Sequence, residues 1–198
     1  MRIVTLLVWL MLPVLAAAYH YGPGQRQLLL DDVDGLVNQA EKLAQQEQWS
    51  KADAAYEEAL GMLPDEGFTS QRRRLRLERA KVQMENRELP SAHQELKQLV
   101  DEMTDDKQAD SKLLSEARST LGNSQYYMTW LMRLEGRPRA DWEPEIEAAR
   151  QTFRLLAEQS EQQGAEDDLK RNREDPESSI RLARMDLKDL QGLPLPSQ

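Results

Sequence analysis

The strongest constraint on this chain is an apolar pattern of helical period that occurs twice, forty residues apart. From Asp31 onward, apolar residues recur three and four positions apart, and turn signals interrupt them at intervals that suit paired helices. Displacing the sequence by 40 residues superposes Ala40 on Ala80, Trp49 on Leu89, Ala52 on Ala92, Tyr56 on Leu96, and Ala59 on Leu99. Small residues allow helices to approach closely, and large ones fill the space between helix pairs. The sequence therefore predicts an all-α fold of antiparallel helix hairpins.

The positions of the helices follow from the same pattern. The first copy predicts helices over about residues 32–46 and 50–62, and the second over about residues 70–86 and 90–103. A third, degenerate pair is expected over about residues 110–134 and 144–163, with Gly136, Pro138 and Trp142 in the loop between them. In this pair Ala149 and Phe153 repeat the step from a small residue to an aromatic one.

The first copy, from Ala40 to Pro64, resembles a unit of the tetratricopeptide repeat family. Ala40 is the family's small residue in the first helix, and Trp49-Ser50-Lys51-Ala52 matches its aromatic-x-x-Ala motif. Tyr56 matches the second aromatic position, Ala59-Leu60 the Ala-Leu pair, and Pro64 the terminal proline. The second copy, about Arg73 to Asp106, keeps Ala80 and Ala92 but has Leu96 and Thr104 at the later aromatic and Pro positions. The family's period is ~34 residues, so the longer spacing predicts an expanded turn near residues 65–71. The resemblance implies a short right-handed α-solenoid, and an apolar stripe near the C-terminus predicts a helix that caps its end.

The two ends of the chain differ from this repeated middle. Arg2, the apolar run from Ile3 to Leu15 and the triplet Ala16-Ala17-Ala18 predict a signal peptide over residues 1–18, with an uncleaved membrane anchor as the alternative. Residues 19–30 are expected to be flexible, and residues 31–163 to form the helical-repeat domain. A charged linker over residues 164–178 precedes a C-terminal helix and tail over residues 179–198, whose apolar stripe consists of Ile180, Ala183, Leu187 and Leu190.

Composition argues against several classes of function. The formal net charge of -9 disfavours general binding to nucleic acid. The chain has no Cys and only two histidines, His20 and His93, and it has no glycine-rich phosphate-binding motif. We therefore predict that the chain is not an enzyme and has no catalytic, cofactor or metal site. Surface or packing roles are expected for both histidines.

A basic run on the predicted third helix is the main candidate for binding. Six cations fall within ten residues: Arg72, Arg73, Arg74, Arg76, Arg79 and Lys81. Guanidinium groups can bind the carboxylates of an acidic protein or peptide, although they can equally pair with acids of the same chain. The family resemblance implies that the first helix of each pair lines a concave groove. The groove residues would be Val37, Glu41, Ala44, Arg74, Leu77, Lys81 and Met84, with Arg72, Arg76 and Arg79 as a further interaction surface.

The predicted fifth helix is apolar on nearly every face near its end. Its large side chains there include Tyr126, Tyr127, Met128, Trp130 and Met132. Such a helix either packs in a core or presents a surface for a partner or for self-association, and Tyr126 and Trp130 are the candidates for that surface. The sequence thus predicts an exported scaffold, in the periplasm or secreted, that binds a protein or peptide. The alternative is a self-associating or membrane-associated structural subunit of the cell envelope, with membrane contact only if residues 1–18 are retained.

Overall fold

A computed structural model describes Trp9, Met11, residues 23–163 and residues 180–185. The described residues are helical and contain no strand, which confirms the all-α prediction. The chain divides into two compact units with the boundary after Thr69. The predicted signal peptide and charged linker lie outside the described residues, apart from Trp9 and Met11. Within the described part of the chain, no helix is both long enough and apolar enough to cross a membrane.

From Pro23 onward, unit 1 is a helix hairpin. Helix α1 covers Pro23–Gln45 and helix α2 covers Trp49–Met62, and the two pack along each other. The core of the hairpin consists largely of alanine with a few larger side chains, namely Val33, Ala40, Ala52, Ala55, Tyr56, Ala59 and Leu63. After α2, Phe68 is buried and lies under the guanidinium of Arg26, 4.7 Å from the ring centroid. The same guanidinium donates to the carbonyl oxygen of Gly67 at 2.8 Å.

In unit 2 the structure describes four long helices and the helical residues 180–184. The four helices are α3 (Thr69–Glu85), α4 (Leu89–Asp105), α5 (Ser111–Leu134) and α6 (Arg139–Gln163). One core cluster joins the first three of them through Leu77, Ala80, Ala92, Leu96, Leu99, Met103, Leu113, Ala117 and Leu121. A second cluster on α6 consists of Ala149, Phe153 and Leu156, and α5 packs closely against α6.

The three hairpin turns share one backbone geometry. Glu47, Arg87 and Gly136 each have a positive φ, of 57°, 64° and 70°. The next residue in each turn donates its N–H to a carbonyl five positions earlier: Gln48 to Leu43, Glu88 to Gln83 and Arg137 to Met132, each at 2.9 Å. This is the Schellman ending of a helix, in which the left-handed residue reverses the chain and satisfies a terminal carbonyl. The first two turns are forty residues apart, so the sequence repeat is also a repeat of backbone structure.

Two helices begin earlier than the sequence predicts. Helix α1 begins at Pro23, so residues 23–30 of the expected flexible segment lie in the helix, and proline suits a first helical position. Helix α6 begins at Arg139, which places Trp142 on the helix and not in the preceding loop. Pro144 lies in the second turn of α6 and has no N–H, so the carbonyl of Ala140 has no helical donor. Both residues are exposed. Water can therefore hydrogen-bond to that carbonyl.

Candidate partner-binding surfaces

An apolar surface shared by α5 and α6 is the first candidate. Trp142 and Ile146 on α6 are buried at its centre. Partly buried side chains of α5 pack against them, namely Tyr126, Trp130, Met132 and Leu134. We call these six residues the aromatic face. It contains Tyr126 and Trp130, the two aromatic residues that the sequence identified as a possible interaction surface.

The C-terminal segment, residues 180–185, packs on the aromatic face. Residues 180–184 are helical. Leu182 is 1% exposed and belongs to the buried cluster of Trp142 and Ile146, while Ala183 and Met185 pack against that cluster. Burying a leucine side chain stabilises a contact by about 1.5–3 kcal/mol relative to leaving it in water. The aromatic face therefore holds a helical segment of the same chain through the apolar side of that segment.

Arg133, in the last turn of α5, fixes the end of this segment. Its guanidinium lies 4.8 Å from the ring centroid of Trp142 and donates hydrogen bonds to the carbonyl oxygens of Leu182 and Met185. The last carbonyls of a helix have no donor within the helix, and a cation there is favoured by the helix dipole. One side chain thus contacts both an aromatic ring of the face and the backbone of the segment that the face holds.

The basic run on α3 is the second candidate, and much of its charge is paired within the chain. Arg73 is 8% exposed and donates to Glu102 at 3.0 Å and to Asp106 at 2.7 Å. Arg76 pairs with Glu95 and, at 2.6 Å, with Glu102. These acids lie on or just after α4, so the arginines join α3 to α4.

These ion pairs lower the pKa of Glu102. Burial alone would raise this pKa above the usual 4.5, but hydrogen bonds from Arg76 and Arg73 outweigh burial and lower it. The carboxylate therefore stays charged at neutral pH and holds both guanidinium groups. Arg72 and Arg79 are half-buried and also interact with other groups in the structure.

The predicted groove residues differ in exposure. Leu77 is fully buried in the core cluster of α3, α4 and α5, so its side chain does not face solvent. Lys81 is half-buried and pairs with Glu78 at 3.0 Å and Glu116 at 2.6 Å. The predicted groove residues with exposed side chains are Arg74 and Glu41, and those that are half-buried are Val37, Ala44 and Met84. On α3, the side chain most accessible to an acidic partner is therefore that of Arg74.

Three helices of unit 2 meet at a polar cluster that the sequence did not reveal. His93 on α4 places Nδ1 3.1 Å from Ser124 Oγ on α5 and Nε2 3.4 Å from a carboxylate oxygen of Glu145 on α6. A neutral imidazole with its proton on Nε2 satisfies both contacts, because Ser124 can then donate to Nδ1. The Ser124 hydroxyl also lies 2.8 Å from the carbonyl oxygen of Leu121, and its one proton serves one acceptor at a time.

This cluster has the residue types of a serine hydrolase but not the access. Ser124 is 0% exposed, so a substrate cannot approach its oxygen while the helices are packed. Ser124, His93 and Glu145 are far apart in the sequence, and no local motif connects them. The cluster therefore supports the packing of α4, α5 and α6 and does not support a hydrolytic function.

Acid should destabilise the fold through His93. Burial lowers the pKa of His93 below its usual 6.5; the charge of Glu145 opposes this shift and that of Lys97 adds to it. The unfolded state therefore binds the proton more readily, and the contribution of His93 to stability is lost as pH falls below its unfolded pKa. We expect the free energy of unfolding to decrease between about pH 7 and pH 5, and to decrease less in His93→Gln. Urea unfolding across this range measures both.

Glu145→Gln tests the contact of Glu145 with His93 through the pKa of His93. Removing the carboxylate removes the group that favours the imidazolium, so the pKa of His93 should fall further. Titration of the histidine resonances by NMR measures the shift, and His20 is the only other histidine of the chain. An unchanged or higher pKa for His93 in Glu145→Gln would contradict the contact between the two side chains.

No match was found when the chain was compared with models of protein families, with curated proteins and with solved structures. Among the residues that the structure describes, no group of three or more His, Asp or Glu side chains could hold a metal ion.

Proposed function

We propose that this chain is a helical-repeat scaffold that binds a protein or peptide partner, with its hairpins arranged as a short, right-handed solenoid like that of tetratricopeptide repeats. The observation that carries the proposal is the docking of the C-terminal segment on the aromatic face. It supports binding because the apolar side of a helical segment is held by packing, which is the contact used when an amphipathic helix binds in a groove. Arg133 adds hydrogen bonds to the backbone of the segment. The shared turns at Glu47, Arg87 and Gly136 support the repeat arrangement.

A second surface of the proposed scaffold is the exposed side of α3. Arg74 is its exposed cation, and Lys81 and Met84 are half-buried on the same helix. We propose that this side contacts an acidic segment of the partner. On α1, forty residues earlier, Val37 corresponds to Leu77, Glu41 to Lys81 and Ala44 to Met84.

Reversing the charge of Arg74 tests this second surface. We expect Arg74→Glu to weaken binding of an acidic partner by about tenfold or more, because like charges then face each other across the interface. The free energy of unfolding should change by no more than about 0.5 kcal/mol, because the side chain is exposed. Lys112→Glu, which reverses an exposed charge on α5, is the matched control. Titration calorimetry with the purified partner measures the affinities, and equal affinities for both variants would exclude a role for Arg74.

We further propose that the scaffold is exported, on the basis of the signal-peptide pattern in residues 1–18. The second candidate function is a self-associating or membrane-associated subunit of the cell envelope. Tyr127 and Met128 favour it, because they are half-buried near the end of α5 and tyrosine and methionine are enriched at protein interfaces. A molecular mass that rises with protein concentration, or retention of residues 1–18 in a membrane fraction, would support this candidate.

Affinity capture from envelope extracts tests the proposed function. The baits are the wild-type chain and Leu182→Asp, which should release the C-terminal segment from the aromatic face. Mass spectrometry identifies captured proteins and the first residue of the bait, and each captured protein is then purified and its binding measured directly. A partner that binds either bait in stoichiometric amount supports the scaffold. If no captured protein binds when purified, the proposal fails.

A further inference from the structure

We infer that the C-terminal segment is an internal ligand, which occupies the site where the aromatic face receives a helix of the partner. This inference rests on the proposed function. It specifies which kind of partner binds and how the segment regulates that binding. The partner element would be a short amphipathic helix with the apolar pattern of the segment: a leucine at the position of Leu182, a small residue next, and a large apolar residue at the position of Met185.

The segment has few contacts of its own to keep it in place. Residues 180–184 are helical. Most of the stability of a helix in a protein comes from the packing of its apolar side and not from the helix alone. One side chain of the segment, Leu182, is fully buried against the face, whereas Ile180, Arg181 and Arg184 are exposed. The helical form of the segment therefore depends on the aromatic face and on Arg133.

The aromatic face does not depend on the segment in the same way. Trp142 and Ile146 are on α6, which packs against α5, and α6 has its own buried cluster of Ala149, Phe153 and Leu156. Arg133 is held over the ring of Trp142. A helix supplied by another protein would thus meet a face whose main side chains are already positioned.

The contacts at the face also define what the partner must offer. Arg133 donates to main-chain carbonyls at the end of the segment, which any helix end can provide. Selectivity then comes from the side chain that replaces Leu182 in the cluster with Trp142 and Ile146. The segment is covalently joined to α6, so its effective concentration at the face is on the order of millimolar. A partner's helix must bind the face tightly enough to displace the segment at that concentration. The segment therefore restricts the site to partners whose helix binds the aromatic face more tightly than the segment does.

A labelled peptide in trans tests this inference on the full chain. The probe is a fluorescein-labelled peptide with the sequence of residues 177–188, and fluorescence anisotropy measures its binding. We expect Leu182→Asp to bind the probe about tenfold or more tightly than the wild-type chain does, because the tethered competitor is removed. Arg184→Asp introduces the same acid at an exposed position of the segment and should bind the probe as the wild type does.

Further variants decide between the outcomes. Adding Arg133→Gln to Leu182→Asp should abolish the gain in affinity, and Leu182→Ser should reproduce the gain if Leu182→Asp disturbs folding. Equal binding to the wild type and to both Leu182 variants, or no binding to either variant, would overturn the inference. A wild-type dimer that Leu182→Asp dissociates, measured by light scattering, would also overturn it, because a second copy would then be the partner. If the probe binds as expected but the capture experiment yields no partner, the segment still competes for the aromatic face, whereas the scaffold function fails and the partner's helix fails with it.

Discussion

Replacing Leu77 by alanine should lower the free energy of unfolding by about 2–5 kcal/mol. Leu77 is fully buried in the cluster that joins α3, α4 and α5, where its neighbours include Leu96 and Leu99. The substitution removes apolar contacts and leaves a cavity that helices packed on three sides can close only in part. Urea unfolding followed by circular dichroism measures the loss.

Arg74→Ala is the control for this prediction, since the two residues lie on the same helix and Arg74 is exposed. We expect it to change the free energy of unfolding by no more than about 0.5 kcal/mol. Comparing the two variants also distinguishes a core role for Leu77 from the groove role that the sequence suggested. If Leu77→Ala unfolds like the wild type but loses its partner, then Leu77 faces a ligand and its placement in the core is wrong.

The helix hairpins were predictable because the constraints on them are local. Ala40, Ala80, Ala52 and Ala92 were identified from spacing alone, and all four are fully buried. A small residue at a fixed position in each helix is enough to indicate where two helices approach each other. The turn residues Glu47 and Arg87 follow the same repeat, although neither is a glycine and their left-handed backbone was not predicted.

The candidate sites were harder to predict because they depend on contacts between distant parts of the chain. The charge run on α3 suggested a free basic surface, but Arg73 is buried and bonded to Glu102 and Asp106 of the next hairpin arm. Periodicity gives the face of a helix on which a residue lies, not the acid that will reach it. The contact of His93 with Glu145 requires the packing of three helices, which no spacing in the sequence reveals.

Phe153→Ala should destabilise the contact between α5 and α6 by about 3–5 kcal/mol. Phe153 is 1% exposed, and its ring approaches the backbone of α5 at Gly122. A Cβ atom built on Gly122 would lie 2.8 Å from Cε1 and 2.9 Å from Cζ of this ring, closer than carbon atoms pack. The aromatic ring opposite this position therefore favours glycine over any residue with a Cβ atom.

Combining the two substitutions tests this close approach. Gly122→Ala alone should cost about 1–3 kcal/mol, because the ring must shift within a packed interface. In the background of Phe153→Ala the ring is absent, so the added methyl group should cost nothing or stabilise by up to about 1 kcal/mol through the higher helix propensity of alanine. Urea unfolding of the wild type, both single variants and the double variant completes the cycle. Additive effects would mean that Gly122 and Phe153 do not touch, and that α5 and α6 are held together by other contacts.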